Sequence, residues 1–117
     1  MIHAQYAWER GLTGEGATIA LLDTGVLLDY DDFAGLLVEN TADPDDGIDN
    51  DHNGYVDDRL GYDFVENDGV PQDEDSHGSA LSAIIGADGN SGTALIGIAQ
   101  DARIIPIKML TLVGKPC

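Results

Sequence analysis

The hydrophobic positions of this chain are concentrated in three segments, two of which have the pattern of buried strands. Residues 17–22 read Ala-Thr-Ile-Ala-Leu-Leu, without polar alternation, and lead into Asp23 and a Thr-Gly turn. Such a run is typical of a central parallel strand that is covered on both faces. Residues 104–110 form a second apolar run, in which Pro106 removes a hydrogen-bond donor and favours an early or edge position for that strand.

The third apolar segment lies between these runs and has helical periodicity. Its apolar residues repeat on one face of a helix that we expect to run from about His77 to Gly86, with Ser76 as the N-cap: Ala80, Leu81, Ile84 and Ile85. Residues 61–65 add a possible short strand. Strand, helix and strand in this order predict a right-handed βαβ unit. We therefore predict an α/β fold with a parallel sheet, in which residues 1–117 are one domain or part of one.

The polar residues are strongly biased towards acid, and the net charge is −17 from 22 Asp and Glu against 5 Lys and Arg. Most of the acidic residues lie between Asp29 and Asp75, where Arg59 is the only Lys or Arg. So dense an acidic block predicts either disorder or bound cations. Nucleic-acid binding is disfavoured, because contacts to a phosphate backbone require Lys and Arg. No apolar run has the length of a membrane span, and we expect no membrane partner.

Two residues with catalytic chemistry lie at the ends of the predicted elements. Asp23 follows the first strand at the carboxyl edge of the sheet, where α/β proteins collect functional groups. His77 opens the helix, and a βαβ crossover can bring it against Asp23. A carboxylate on one imidazole nitrogen fixes the tautomer and leaves the other nitrogen free to accept a proton from a hydroxyl. Taken singly, Asp23 also fits a turn-forming role and His77 a residue at a helix start.

Oxygen-bearing residues alternate around Gly54 in the segment 49–57. Calcium takes about six to eight hard oxygens, and a glycine turn lets alternating side chains surround one ion. Position 12 of the loop is Leu60 rather than the Glu of an EF-hand, with Asp58 as a possible substitute, and a solvated acidic loop stays the alternative. The candidate ligands are the side chains at positions 1, 3, 5 and 9 and the backbone carbonyl at position 7: Asp49, Asp51, Asn53, Asp57 and Tyr55.

Three segments together resemble the subtilisin-like serine proteases, the subtilases. Residues 19–26, Ile-Ala-Leu-Leu-Asp-Thr-Gly-Val, resemble the aspartate motif of that family. Residues 77–85 resemble its histidine motif, with Ser79 where the family usually has Thr, and residues 97–110 resemble the strand that follows. The resemblance implies the N-terminal portion of a subtilisin-like three-layer fold with a parallel sheet. It also implies that Asp23 and His77 are two members of an Asp-His-Ser triad.

The same resemblance implies a secreted serine endopeptidase that hydrolyses proteins, with its signal peptide and propeptide outside this chain. The family's Gly-Thr-Ser nucleophile motif and its oxyanion-hole Asn have no match in the sequence. We therefore expect the chain alone to be inactive, and to need the remainder of the catalytic domain as its partner.

A second loop, residues 63–72, resembles the calcium loop that precedes the histidine in thermitase-like subtilases. By this resemblance Asp63, Asp68 and Gln72 supply side-chain oxygens, and Val70 supplies its carbonyl. A solvated acidic loop is again the alternative. A further resemblance, to the family's strong calcium site, joins Asp32 to the loop at residues 90–93. Calcium would then be a structural cofactor whose binding is linked to folding.

Two other functions stay open at this point. The chain also fits a non-catalytic, acidic calcium-binding module or a degenerate protease relative, and it also fits one half of a split enzyme that needs a partner chain. The gene distinguishes them, because continuation into a Gly-Thr-Ser-type motif supports the enzyme and a stop after Cys117 supports the module.

Overall fold

The computed structural model describes residues 2–89, 92 and 95–111. No helix within these ranges is long and apolar enough to cross a membrane. Cys117 and the loop residues Asn90, Ser91 and Thr93, which the sequence pairs with Asp32, lie outside the described residues. The elements in chain order are α1 (Gln5–Trp8), β1 (Thr18–Asp23), a 3-10 helix (Asp31–Phe33), β2 (Tyr62–Asp63), α2 (His77–Gly86) and β3 (Arg103–Lys108).

The strands form one parallel sheet in the order β1-β3-β2. β1 and β3 pair along their whole length, from Thr18 opposite Arg103 to Asp23 opposite Lys108. β2 pairs only with the last two residues of β3. Because α2 connects the parallel neighbours β1 and β3 in sequence, the predicted α/β architecture with a parallel sheet is confirmed.

Within the described residues β1 is an edge strand covered on one face, whereas the sequence predicts a central strand covered on both faces. Among the described residues it pairs only with β3. Its side chains alternate between exposed and half-buried until Asp23, and Leu22 is 52% exposed. The reason is that packing covers one face alone, the face that carries Ile19 and Leu21 against the core.

β3 is the middle strand of the described sheet and Pro106 is its fourth residue, so the early or edge position predicted from Pro106 is wrong. The backbone N–H groups of β3 point to its two sides alternately. That of Arg103 donates to the carbonyl of Ala17 (2.9 Å), and that of Ile104 donates to the carbonyl of Leu36 (2.8 Å) on the other side. The backbone nitrogen of Pro106 points to the same side as that of Ile104, away from β1. On that side β2 pairs only with Ile107 and Lys108, beyond Pro106. The missing N–H therefore removes no hydrogen bond to β1.

The start of α2 differs from the prediction that Ser76 caps it. Ser76 has a left-handed backbone (φ 72°), and its side chain makes no capping hydrogen bond. The carboxylate of Asp73 instead accepts the backbone N–H groups of Asp75, Ser76 and Ser79, each at 2.9 Å. A charged acceptor three residues upstream thus replaces the hydroxyl cap that the sequence suggests.

The buried face of α2 is lined by small residues, whereas the predicted apolar face is partly exposed. Ile84 is 58% exposed, and Ala80 is also exposed. A Cβ added at Gly78 would lie 2.0 Å from the carbonyl oxygen of Gly25, so only a helix with small residues can approach β1 this closely. The buried residues of the helix are Gly78, Ser79, Ser82 and Gly86.

The hydrophobic core is small and lies on the α2 side of the sheet. The residue of β3 at its centre, Ile104, is fully buried. Half-buried side chains of β1 and α2 pack around it, among them Ile19, Leu21 and Ile85. The other buried members of the core are Val26, Phe33, Leu36 and Ala87.

We expect Gly78→Ala to destabilise the chain by about 1–3 kcal/mol, because the new methyl group has to displace the backbone of Gly25. Urea unfolding followed by circular dichroism measures the change. Ala80→Leu is the matched control: it adds bulk on the exposed side of the same helix and should change stability by less than about 0.5 kcal/mol. Equal stabilities of Gly78→Ala and the unmodified chain would contradict the close approach.

Candidate active site

The structure brings Asp23 and His77 together as the sequence predicts. His77 Nδ1 lies 2.8 Å from Asp23 Oδ1, at the point where β1 ends and α2 begins. Asp23 is buried, at 8% exposure, while the side chain of His77 is 53% exposed. Because an ionised carboxylate only accepts hydrogen bonds, Nδ1 carries the proton in the neutral ring. Nε2 is then left with a lone pair that can take a proton from a hydroxyl.

Asp23 is held in its charged form. Burial alone would raise the pKa of its carboxyl group. The hydrogen bonds from His77 and from the backbone N–H of Thr24 (2.8 Å) outweigh burial and hold that pKa below its usual value. At neutral pH the carboxylate is therefore ionised, which orients the imidazole and favours an imidazolium formed beside it.

The turn after Asp23 is shaped by Gly25. Its backbone has φ +102°, and a Cβ there would lie 2.5 Å from the carbonyl oxygen of Pro71. The next residue, Val26, pairs with the segment before the helix: its N–H bonds to Pro71 (3.0 Å), and its carbonyl accepts the N–H of Asp73 (3.1 Å). This pairing delivers the start of α2 to the end of β1, so glycine is required at the turn.

Asp73 is the residue of this site that the sequence analysis missed. It is 5% exposed and connects the Asp23 turn to α2 through the hydroxyls of Thr24 and Ser79. Burial would raise its pKa, but the hydroxyl and backbone N–H of Ser79, with further donors, lower it. The available signal was an acidic residue just upstream of a helix start, which is weak in a block where most neighbours are acidic.

The first candidate calcium loop is partly assembled. Asp49 and Asp51 both accept the N–H of Asn53 (3.1 Å each), and the side-chain oxygen of Asn53 accepts the N–H of Tyr55 (2.8 Å). Asp58, the predicted substitute ligand, accepts the side-chain amide of Asn53 (2.8 Å) and so joins this group.

Asp57 lies apart from that group, since its carboxylate accepts the N–H groups of Asp46 (3.0 Å) and Gly47 (2.8 Å). The ring of Tyr55 packs against Tyr62, with 4.8 Å between ring centroids. The structure therefore brings together Asp49, Asp51 and Asn53 among the predicted ligands, and directs Asp57 to another turn.

A buried carboxylate that was not predicted holds this loop in shape. Asp43 has no exposed surface, and it accepts the N–H groups of Asn50 (2.6 Å) and Asp58 (3.0 Å). The Asn50 bond is the main reason that the pKa of Asp43 lies below its usual value. Asp43 thus closes the acidic loop as a structural residue.

In the second candidate loop, Asp63 already has a cationic partner. Its Oδ2 lies 3.0 Å from Nζ of Lys108, and both residues are buried, at 1% and 4% exposure. Its Oδ1 accepts the N–H groups of Val65 (2.7 Å) and Glu66 (3.0 Å). A calcium ion would compete with Lys108 for this carboxylate.

The other predicted ligands of the second loop also form local hydrogen bonds. Asp68 accepts the N–H of Val70 (2.9 Å), and the side-chain oxygen of Gln72 accepts the N–H of Leu28 (3.2 Å). The carbonyl of Val70 accepts the N–H of Gln72 (2.7 Å). Within residues 2–89, 92 and 95–111, no three Asp, Glu, His or Cys side chains converge as a metal site would require. The donor types suit calcium, but their arrangement here is not a formed site.

Asp32, the residue assigned to a third site, is fully buried, and its carbonyl accepts the N–H of Asp88 (3.2 Å). The partner loop at 90–93 falls largely outside the described residues. The third site therefore stays a prediction.

Comparison with known proteins gives one family. The chain matches the model of the Subtilase family over residues 14–116. It is 34% identical over 98 residues to Subtilisin-like protease 1 of Plasmodium berghei (strain Anka), and the alignment covers 82% of this chain and 16% of that protein. It is 33% identical over 114 residues to thermitase of Thermoactinomyces vulgaris, and that alignment covers 97% of this chain and 33% of that protein.

A third relative is the extracellular basic protease of Dichelobacter nodosus, which is 30% identical over 133 aligned residues. That alignment covers 97% of this chain and 20% of the relative. The chain thus spans between 16% and 33% of the length of these three curated relatives.

We expect Asp63→Asn to destabilise the chain by about 3–5 kcal/mol, because it removes the buried counter-ion of the Lys108 ammonium and leaves only the exposed carboxylate of Glu74 nearby. Glu74→Gln is the control: its carboxylate lies 3.9 Å from the same ammonium but is 69% exposed, so the loss should stay below about 1 kcal/mol. Urea unfolding in the presence of a chelator separates this effect from calcium. A loss for Asp63→Asn that appears only when calcium is present would instead favour a ligand role.

Proposed function

Because the chain belongs to the subtilase family, we propose that it is the N-terminal part of the catalytic domain of a subtilisin-like serine endopeptidase. The observation that carries the proposal is the 2.8 Å contact between His77 Nδ1 and Asp23 at the carboxyl edge of a parallel sheet. Edges of this kind are where α/β proteins assemble their reacting groups.

The proposed chemistry is acyl transfer from a peptide bond to water. Asp23 accepts the Nδ1 hydrogen of His77 and holds the ring so that Nε2 faces the nucleophile. Nε2 takes the proton from a serine hydroxyl as that oxygen attacks the scissile carbonyl, and it returns the proton to the leaving amine. Water then attacks the carbonyl of the acyl-enzyme while Nε2 takes its proton, and Nε2 returns that proton to the serine oxygen as the acid product leaves. Asp23 stays ionised throughout and stabilises the imidazolium.

The serine and the oxyanion-hole donor belong, in this proposal, to the remainder of the catalytic domain, which is the chain's partner. Support comes from the uncovered face of the sheet. Leu22 and Phe64 are 52% and 49% exposed, and a cavity of about 490 Å³ on this side is lined by Tyr62, Ile105 and Ile107 among others. Parallel sheets are normally covered on both faces, so this surface and the free edge of β1 suit further layers of the same domain.

Calcium binding is a second part of the proposal. Asp49, Asp51 and Asn53 share one turn, with Asp58 beside them, and their oxygens are the hard ligands that calcium prefers. The ion would neutralise part of a segment in which Arg59 is the only Lys or Arg. The loop at 63–72 remains a candidate, although Lys108 already compensates Asp63.

A secreted location is proposed as well, because one relative is named as an extracellular basic protease. The alternative function is an acidic calcium-binding module without catalysis. The acidic loops fit such a module as well as they fit a calcium-stabilised enzyme. The module does not, however, account for the contact between Asp23 and His77.

The protein encoded by the complete gene should hydrolyse casein, and His77→Ala should lower its kcat by about a million-fold, the size known for subtilisin. His52→Ala is the matched control, because it removes an exposed imidazole from the acidic loop and should leave kcat unchanged. The isolated 117-residue chain should show no hydrolysis. Full activity of His77→Ala in the complete protein would contradict the assignment.

Calcium at about 100 times its dissociation constant should stabilise the chain by about 2.7 kcal/mol over a chelator-treated sample, because it binds only the folded loop. Differential scanning calorimetry measures this as a higher melting temperature. The double variant Asp49→Asn, Asp51→Asn should lose the response, while Glu9→Gln, an exposed acid in the N-terminal segment, should keep it. Identical melting with calcium and with chelator would contradict calcium binding.

A further inference from the structure

We propose that Asp73 is a positioning residue, which aligns His77 with Asp23 by fixing the direction of the hydrogen bonds between the end of β1 and the start of α2. The relevance of this role to catalysis rests on the proposed function. The alignment itself is a property of the chain and can be measured without any protease activity.

Asp73 lies between the two elements and accepts five hydrogen bonds. Its Oδ1 accepts the hydroxyl of Thr24 (2.9 Å) and the backbone N–H groups of Asp75 and Ser76, the two residues before α2. Its Oδ2 accepts both the backbone N–H (2.9 Å) and the hydroxyl (2.5 Å) of Ser79. So many donors on one buried carboxylate keep it ionised, and an ionised carboxylate has acceptors only.

The two hydroxyls are therefore forced to donate to Asp73, and their lone pairs point to the opposite element. Thr24, which follows β1, accepts the N–H of Gly78 in α2 (2.9 Å). Ser79, in α2, accepts the N–H of Leu27 beyond β1 (3.0 Å). The segment after β1 and the start of α2 thus each supply a hydroxyl that accepts a backbone N–H of the other. We call this set of residues the Asp73 clamp: Asp73, Thr24, Ser79, Gly78 and Leu27.

The clamp holds the residues next to the candidate catalytic pair. Thr24 directly follows Asp23, and Gly78 directly follows His77, so the Thr24–Gly78 bond lies beside the Asp23–His77 bond. The side chain of His77 is 53% exposed, and packing around the ring is correspondingly sparse. Its position is therefore set by the backbone at the start of α2, which the clamp fixes.

The experiment uses the 117-residue chain labelled with ¹⁵N in its three histidines, His3, His52 and His77. Nuclear magnetic resonance reports which ring nitrogen of each histidine carries the proton, and whether the Nδ1 hydrogen of His77 is protected from exchange. Asp23→Ala identifies the signal of the pair because it removes the acceptor of the Nδ1 hydrogen, while the exposed His3 and His52 serve as internal references.

Two pairs of variants test the clamp. Ser79→Ala and Thr24→Val each remove one hydroxyl, whereas Ser79→Thr and Thr24→Ser keep it. In Ser79→Ala and Thr24→Val we expect the protected Nδ1 signal of His77 to be lost and a mixture of tautomers to appear. In Ser79→Thr and Thr24→Ser we expect that signal to be retained. Asp73→Asn should also lose it, because its amide group donates where the clamp needs an acceptor. Circular dichroism selects the variants that remain folded.

Folded Ser79→Ala and Thr24→Val variants with the unmodified Nδ1 signal would overturn the proposal. Unfolding of both would overturn it too, because the clamp would then serve stability rather than alignment. In the complete protein, Ser79→Ala should lower kcat by about 10- to 100-fold with KM unchanged, and Ser79→Thr should restore it. Absence of hydrolysis by the unmodified protein would count against the proposed function and leave the resonance result standing.

Discussion

The architecture depends on the close approach between the turn after β1 and the first turn of α2. Gly25 and Gly78 meet there with no room for a Cβ, because one at Gly78 would lie 2.0 Å from the carbonyl of Gly25. Backbones this close cannot be hydrated, so their polar groups need partners within the protein. The hydroxyls of Thr24 and Ser79 and the carboxylate of Asp73 supply them. The contact between Asp23 and His77 is one bond within this closely packed junction.

The acidic residues serve a second structural purpose away from that junction. Residues 39–60 contain no helix or strand, yet several of their backbone N–H groups donate to side-chain oxygens. Asp43 binds the N–H groups of Asn50 and Asp58, and Asp57 binds those of Asp46 and Gly47. Carboxylates thus replace the backbone carbonyls that regular structure would provide. The same residues that suggest cation binding from sequence also shape the loop by themselves.

The sequence predicts those features that a local pattern encodes. The apolar run at 17–22 becomes β1, the spacing around His77 becomes α2, and the Asp23–His77 contact follows from the order of these elements. Asp73 could not be identified in the same way, because an acidic residue just upstream of a helix start is a weak signal in a segment where most neighbours are acidic. The small-residue face of α2 was missed because periodicity reports which residues are apolar, whereas close packing selects small ones. The edge position of β1 depends on pairing across the sheet, which no local pattern encodes.

Within the part of the chain that the structure describes, one edge of β1 is unpaired, and this has a consequence for how copies of this chain behave in solution. An unpaired strand edge beside exposed side chains such as Leu22 is a template for joining another strand, and thus for self-association. The net charge of −17 opposes such encounters, since like-charged copies repel one another. That repulsion reaches only about 8 Å at physiological ionic strength. The tendency of the chain to self-associate should therefore rise with salt concentration, because salt screens the charge of the acidic loops that keeps copies of the sheet apart.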